Sequence, residues 1–291
     1  MRITGEALLQ WRRGLLQQGG QACNLDWLLE LQAGVTWQTL QQLRLHPQRD
    51  LELHTPLQQL EAIWQEHLQR DRPLQYLVGR CPWRDLELAV GPGVLIPRQE
   101  TELLVDLALE LAQSRGRTPQ LWADLGTGSG CLAVALARAW PQSHGLAVDC
   151  SQAALQQAAI NRDRYALTAQ LQLLQGNWWE PLRPWWNQLE LVVSNPPYIP
   201  QAVWEGLDPV VRNHEPTLAL SSGSDGLDAA RTIAAGASKA LAPGGWLLLE
   251  HHHDQSAAVL QLLEAAGLEA GQPRNDLEGQ RRFAIARAPQ R

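Results

Sequence analysis

The sequence predicts an α/β fold in which a mostly parallel sheet, covered by helices, follows a small all-helical N-terminal domain. Three observations carry this. From Leu121 onward, short apolar runs alternate with stretches of helical periodicity, the pattern of a parallel sheet with crossover helices. Residues 1–72 show helical periodicity alone. Two turns just after predicted strands, 124–130 and 195–198, carry residue types suited to holding a ligand.

Composition narrows the class. The 291 residues are 45% hydrophobic and 19% charged, enough for large buried cores and too apolar for a disordered chain. No apolar run approaches the roughly 20 residues that span a bilayer. The start, Met1-Arg2-Ile3-Thr4-Gly5-Glu6, lacks the apolar block of a signal peptide, so a cytoplasmic protein without membrane association is expected. A net charge of −6 argues against direct nucleic-acid binding, whose sequence-independent affinity comes from Lys and Arg. Cys23, Cys81, Cys131 and Cys150 have no metal-like spacing and are expected reduced, with core packing as their role.

The elements follow in order. Leu8, Leu9, Trp11, Leu15 and Leu16 fit one amphipathic helix, and Leu25, Trp27, Leu28, Leu29 and Leu31 a second. A third follows Thr36, with Leu40, Leu43 and Leu45. In Thr55-Pro56-Leu57-Gln58 the threonine is an expected N-cap, with proline at N1 and glutamine at N3. Leu57, Leu60, Ile63, Trp64 and Leu68 then line one face. Charges in residues 1–72 nearly cancel and no catalytic group stands out, which suggests a bundle that holds a partner.

Residues 73–98 read as a connector containing a β-hairpin, with 83–89 and 94–96 flanking Gly91-Pro92-Gly93. A helix is expected over 99–113. Strands are expected at 121–125, 146–148, 171–174, 189–193 and 246–250, with two weaker ones near Leu268 and at 283–286. Helices at 131–140, 151–165, 227–241 and 254–266 separate them. The domain division is therefore 1–72, 73–98 and 99–291.

The chemistry is read from two turns. Asp124-Leu125-Gly126-Thr127-Gly128-Ser129-Gly130 ends the first sheet strand and opens a helix. Glycines there let a ligand approach the backbone, and the helix start supplies N–H donors. Its G-x-G-x-G spacing departs from the dinucleotide fingerprint. Asp149, after the second strand, is placed to accept from a ribose diol. Together these residues suggest S-adenosyl-L-methionine.

The other turn is Asn195-Pro196-Pro197-Tyr198, after the fourth strand. Two prolines stiffen it and remove competing donors. A planar NH2 group could meet the Asn195 oxygen and the Pro196 carbonyl while the Tyr198 ring covers its flat face. Topology aims Gly126, Asp149, Asn177 and Asn195 into one crevice.

Both motifs together resemble a class I S-adenosylmethionine-dependent N-methyltransferase with a Rossmann-like, seven-stranded sheet. Arg72-Pro73-Leu74-Gln75-Tyr76-Leu77-Val78-Gly79, Ile96-Pro97-Arg98-Gln99-Glu100-Thr101-Glu102, Val211-Arg212-Asn213-His214-Glu215-Pro216 and Pro243-Gly244-Gly245 narrow the resemblance. It is to the peptide chain release factor glutamine methyltransferase family, the HemK or PrmC type. The resemblance implies that Asp124, Gly126, Thr127, Gly128, Ser129, Gly130 and Asp149 hold the methionine and ribose parts of the cofactor, with Asn177 and Trp178 flanking its adenine. It implies that Asn195, Pro196, Pro197 and Tyr198 grip and activate the glutamine amide of the Gly-Gly-Gln loop of class 1 release factors. The helical domain would help dock that substrate, the enzyme acting as a monomer.

Two residues depart from the family's pattern. An acid is usual where Asn177 stands, and Glu250-His251-His252-His253-Asp254-Gln255 replaces a Glu-x-Gly-x-x-Gln pattern. The three histidines do not read as a metal site, because successive side chains on an extended run point to opposite faces. The rival reading is an adenine-N6 methyltransferase acting on DNA or RNA, which shares the Asn-Pro-Pro-Tyr corner. The acidic chain shows no aromatic-basic groove for it.

Overall fold

The computed structural model describes residues 1–290, and the chain folds as two compact units. The first is Met1–Arg80 with Pro209–His214; the second is Cys81–Asp208 with the residues from Glu215 on. The boundary thus falls at Arg80 rather than at residue 72, and six residues distant in sequence join the first unit.

The first unit is built from β1 (Arg2–Thr4), α1 (Gly5–Gln17), α2 (Ala22–Leu28), α3 (Trp37–Leu45), β2 (Asp50–Glu52), α4 (Leu57–Arg70) and α5 (Leu74–Val78). It is not all-helical as expected: β1 and β2 pair antiparallel. Three residues are too few for an alternating pattern to declare a strand. Thr4 caps α1 by accepting Ala7 N–H at 3.3 Å, and Thr36 caps α3 by accepting Thr39 N–H at 3.2 Å. Thr55 does not cap α4. Pro56 takes the N-cap position, and the Thr55 hydroxyl donates instead to the Gln32 carbonyl at 2.6 Å. Leu8, Leu25, Leu28, Leu40, Leu60 and Trp64 fill the core between these helices.

Next comes the hairpin of β3 (Arg80–Trp83) and β4 (Leu86–Ala89), of which all but Arg80 belongs to the second unit. The hairpin therefore turns at Arg84-Asp85, not at Gly91-Pro92-Gly93, and Val94-Leu95-Ile96 is not a strand. Arg84 takes a left-handed φ of 52°, and its N–H donates to Glu102 at 3.0 Å, a tertiary bond the local pattern cannot show. There follow α6 (Glu102–Ser114), β5 (Leu121–Leu125), α7 (Cys131–Ala139), β6 (His144–Asp149), α8 (Gln152–Arg164), β7 (Leu171–Gln175) and β8 (Leu189–Ser194). The chain continues through α9 (Gln201–Trp204), α10 (Pro209–Arg212, grouped with the first unit), α11 (Asp228–Ala240), β9 (Leu241–Glu250), α12 (Ser256–Ala265), β10 (Glu269–Asn275) and β11 (Arg281–Arg287).

Seven strands make one sheet in the order β10-β11-β9-β8-β5-β6-β7. The pairs from β9 to β7 are parallel, and β11 joins β9 and β10 antiparallel. Residue alternation splits the core between its two faces. Trp122, Val193, Leu248 and Phe283 pack on one side with α6 and α7, while Ala123, Leu125, Val192 and Leu247 pack on the other with α11 and α12. Both faces are covered, as a parallel sheet requires.

The strand order also fixes where a ligand can bind. β5 has β6 on one side and β8 on the other, so crossovers leave it in both directions and a crevice opens at its carboxyl end.

Candidate active site

A cavity of about 410 Å³ lies at that end of the second unit. Its wall holds Gly126, Thr127, Gly128 and Ser129 after β5, Asp149 after β6, Asn177 and Trp178 after β7, and Asn195 and Pro197 after β8. The sequence-derived residues from four strands therefore meet. Asp124, Gly130, Pro196 and Tyr198 do not line the wall.

The glycine loop is held by its neighbours on either side. Gly126, Gly128 and Gly130 have φ of 72°, 56° and 81°, values that β-carbon-bearing residues rarely take. Gly126 and Thr127 donate their N–H groups to the Val148 carbonyl, both at 2.9 Å. Asp149 accepts Gly128 N–H through Oδ2 and Ser151 N–H through Oδ1, each at 2.9 Å. The carboxylate so ties the loop to the start of α8. Lone pairs remain on both oxygens for a further donor.

Asp124 lies buried behind this loop. Its Oδ2 accepts the Thr127 hydroxyl at 2.6 Å, whereas Oδ1 has no protein partner, and neither has the buried Ser129 hydroxyl. Burial pushes the Asp124 carboxyl up to about 7, opposed by Thr127 and helped by the charge of Asp149. Asp149 is also raised, by burial first, against the N–H groups that favour its charge.

At the third strand end, Trp178 takes a φ of 47° and stands over Gly126, where a Cβ would touch its ring at 3.5 Å. Asn177 turns its backbone N–H and Nδ2 toward Glu180 Oε2, both at 3.4 Å.

The fourth strand end is braced from behind. Asn195 Nδ2 donates to Thr101 Oγ1 at 2.8 Å. The Tyr198 carbonyl accepts Gln255 Nε2 at 2.9 Å, and its ring lies 6.2 Å from that of His252. Ile199 pairs with Leu220 and Ser222, which closes the base of the loop that follows.

Several supporting residues were given no role by the sequence. Asn161, fully buried on α8, donates Nδ2 to the Ser129 and Ala89 carbonyls and accepts Ala89 N–H, joining loop and hairpin. Glu215 accepts from Arg98 and from Ile96 N–H. Glu250, buried at the end of β9, has Oε2 without a partner. The motifs that hold Glu215 and Glu250 were signals for those two, and a polar residue inside a helical pattern was the signal for Asn161.

The histidine run is not an extended segment. β9 ends at Glu250, and residues 253–255 form a 3₁₀ turn in which Gln255 accepts His252 N–H at 3.1 Å. His251 is buried with Nδ1 on the His252 carbonyl, and His252 Nδ1 meets Asp254 at 2.6 Å. Nor are all four cysteines core residues: Cys81 is buried, but Cys23 and Cys150 are exposed. Among the described residues no helix is long and apolar enough to cross a membrane.

Comparison with known proteins fits this geometry. Residues 101–267 match the family model "Methyltransferase small domain". The chain is 50% identical over 287 residues to a release factor glutamine methyltransferase of Prochlorococcus marinus, covering 99% of this chain and 98% of that one. The chain belongs to the release factor glutamine methyltransferase family. Another family member, from Thermosynechococcus vestitus, is 41% identical over 99% of this chain and its own full length. Among solved structures, the hMettl16 catalytic domain in complex with the MAT2A 3'UTR hairpin 6 aligns with a TM-score of 0.55. It is 13% identical and covers 79% of this chain and 80% of that one, a likeness of fold alone. The family assignment and the Rossmann-like, mostly parallel seven-stranded sheet thus agree with the sequence-derived fold.

Proposed function

We propose that this chain transfers a methyl group from S-adenosylmethionine to the side-chain nitrogen (N5) of the glutamine in the Gly-Gly-Gln motif of class 1 peptide chain release factors. One observation carries the reading beyond family membership. Asn195, an amide at a proline-stiffened strand end, shares a cavity wall with the Gly126–Ser129 stretch and Asp149.

The residues suit the cofactor. Asp124 Oδ1 and the Ser129 hydroxyl are buried polar atoms with no protein partner, and Asp149 keeps acceptor capacity for a ribose diol. Trp178 and Leu132 give an apolar wall for a flat ring, with Asn177 beside them. The bound cofactor supplies a methyl group activated by a sulfonium.

An amide nitrogen is a poor nucleophile because its lone pair is shared with its carbonyl. The Asn195 oxygen orients the substrate NH2 and favours the positive charge that grows on it during attack. Pro196 and Tyr198 are assigned the second acceptor and the ring cover. Held by the glycine loop and Asp149, the cofactor would supply its methyl group to the substrate nitrogen, with the sulfonium sulfur as the leaving group. The nitrogen then releases its proton to water. Proximity and alignment in such a site can supply roughly 7–11 kcal/mol of the barrier.

The first unit is assigned to docking the protein substrate, and the enzyme to the cytoplasm as a monomer that does not bind nucleic acid directly. The test is mass spectrometry of a release factor incubated with the protein and labelled cofactor, with DNA in a parallel reaction. One added methyl on the loop glutamine is expected. Label in the DNA and none in the release factor would reverse the reading.

A further inference from the structure

The strand ends divide the proposed cofactor among them in order. β5, β6 and β7 lie side by side, with the glycine loop after the first and Asp149 ending the second. Asp149 pairs with Gln175 at the end of β7, and its backbone carbonyl accepts Gly176 N–H at 3.1 Å. Asn177 and Trp178 therefore stand one strand beyond the ribose acceptor, on the same cavity wall. A base carried by a ribose at Asp149 comes within their reach.

Asn177 has a partner of its own. Glu180 Oε2 accepts both the Asn177 backbone N–H and its Nδ2, each at 3.4 Å. The Asn177 backbone carbonyl in turn accepts Glu180 N–H at 3.0 Å, which fixes the turn that brings the two side chains together. A carboxylate only accepts, so the nitrogen edge of the amide faces Glu180. One oxygen serves a main-chain and a side-chain N–H of the same residue. The hydrogen it takes from Nδ2 is therefore the one turned back toward the main chain. The amide oxygen and the hydrogen beside it are left for a ligand.

An acceptor next to a donor is the complement of one kind of purine edge. The 6-amino group of adenine donates and the adjacent ring nitrogen accepts, and an asparagine amide meets both at once. In a 6-oxo purine the exocyclic group accepts instead. The amide would have to turn over to meet it, which sets its oxygen against the Glu180 carboxylate.

We propose that Glu180 is a positioning residue that holds the Asn177 amide in the orientation for a 6-amino purine, so that the cavity selects an adenine-bearing cofactor over its 6-oxo counterpart. The inference rests on the cofactor reading given above and adds the group that sets base selectivity. A carboxylate in place of the Asn177 amide would offer acceptors alone, whereas the held amide adds a donor. Both residues are exposed, so water competes for Glu180 and its effect is several-fold rather than many decades.

The experiment measures Kd by calorimetry for S-adenosyl-L-homocysteine and S-inosyl-L-homocysteine, which differ at the 6-position of the base. The proteins are the wild type, Glu180→Ala, Glu180→Gln, Glu180→Lys, Asn177→Ala and the Asn177→Ala/Glu180→Ala double variant. Neither ligand carries the sulfonium, so the charge of Glu180 acts alike on both. The wild type is expected to favour the adenosyl ligand by about tenfold or more, the scale of one bidentate amide–adenine pair. Glu180→Ala should cut that ratio about threefold to fivefold, as for one exposed hydrogen-bonding partner lost. Glu180→Gln keeps an oxygen acceptor and should retain most of the ratio. Glu180→Lys can only donate and should lower it at least as far as Glu180→Ala. Asn177→Ala should remove most of it, and Glu180→Ala should add nothing there, because it acts through Asn177.

A Glu180 that only supports the turn would weaken both ligands alike. An unchanged ratio in Glu180→Ala and Glu180→Lys, or a wild-type ratio near one, overturns the inference while leaving the methylation reading intact. The expected ratios without methylation of the release factor overturn the substrate reading and leave this inference standing. A wild type that binds neither ligand overturns the cofactor reading and this inference with it.

Discussion

Arg98 Nη2 meets Glu215 Oε1 at 2.7 Å, while Glu215 Oε2 accepts Ile96 N–H at 3.1 Å. The pair joins two segments that border the cavity, one before α6 and one after α10, and its two ends are unequally buried. The Glu215 side chain is 1% exposed and that of Arg98 34%. Removing Arg98 strands a buried carboxylate; removing Glu215 leaves a guanidinium that water can reach. Arg98→Ala is therefore expected to destabilise by roughly 3 kcal/mol, the lower end for breaking a buried pair, and Glu215→Gln by less. Urea unfolding of both variants checks the order, and equal losses would contradict it.

Asn195→Ala should lose methyl transfer by about 10²-fold or more, the scale for removing one positioned polar partner. Cofactor affinity should largely survive, since other strand ends supply most of the cavity wall. Single-turnover methylation and cofactor titration separate the two effects. Near-normal turnover would end the assignment of Asn195.

Asn161 makes three hydrogen bonds inside the second unit, two of them to the hairpin and one to the Ser129 carbonyl. Asn161→Leu should leave those groups unpaired, at about 1–3 kcal/mol for each buried group not re-satisfied. Because Ser129 belongs to the cavity wall, cofactor affinity should fall together with stability. A variant that is destabilised but binds cofactor as wild type would show that the loop stands without it.

Asp124 has its pKa raised from 3.8 to about 7 by burial. The folded protein therefore binds this proton more tightly than the unfolded chain. The stabilisation is complete below the unfolded value and is lost as pH rises through about 7. Glu250 contributes in the same sense. The melting temperature of the cofactor-free protein should thus fall between about pH 5 and about pH 8, and Asp124→Asn should flatten part of that fall. A slope unchanged in the variant would mean that Asp124 does not titrate there.

Gly226 has φ of 77°, and a Cβ there would lie 2.2 Å from the Tyr198 carbonyl oxygen. Gly226→Ala must take on left-handed strain of roughly 1–2 kcal/mol and also displace that carbonyl from Gln255. Lower stability in chemical denaturation and slower methyl transfer are expected together. Loss of stability alone would separate Tyr198 from the chemistry.

Much of the second unit was legible because its signals are local. β5 begins and ends at Leu121 and Leu125 as its apolar run does, and Ser151 caps α8 where the helical pattern begins. The glycine loop and the Asn195 corner declare themselves by residue type, and the parallel sheet follows from alternation of strand and helix. The hairpin was misplaced because Gly91-Pro92-Gly93 is the stronger local turn signal, whereas the actual turn at Arg84 depends on Glu102. Thr55 has the residue type of a cap, but the Gln32 carbonyl takes its hydroxyl.

The sequence by itself determined the fold class, the glycine-rich turn at Gly126–Gly130 and the proline-stiffened corner at Asn195, since each is set by backbone requirements written in consecutive residues. Only the tertiary structure decided what stands behind them. Thr101 and Asn195 are far apart along the chain, and Asn161 and Glu215 also bond to groups distant from them in sequence. A hydrogen bond depends on distance in space, and pairings between remote residues leave no period in the sequence to read.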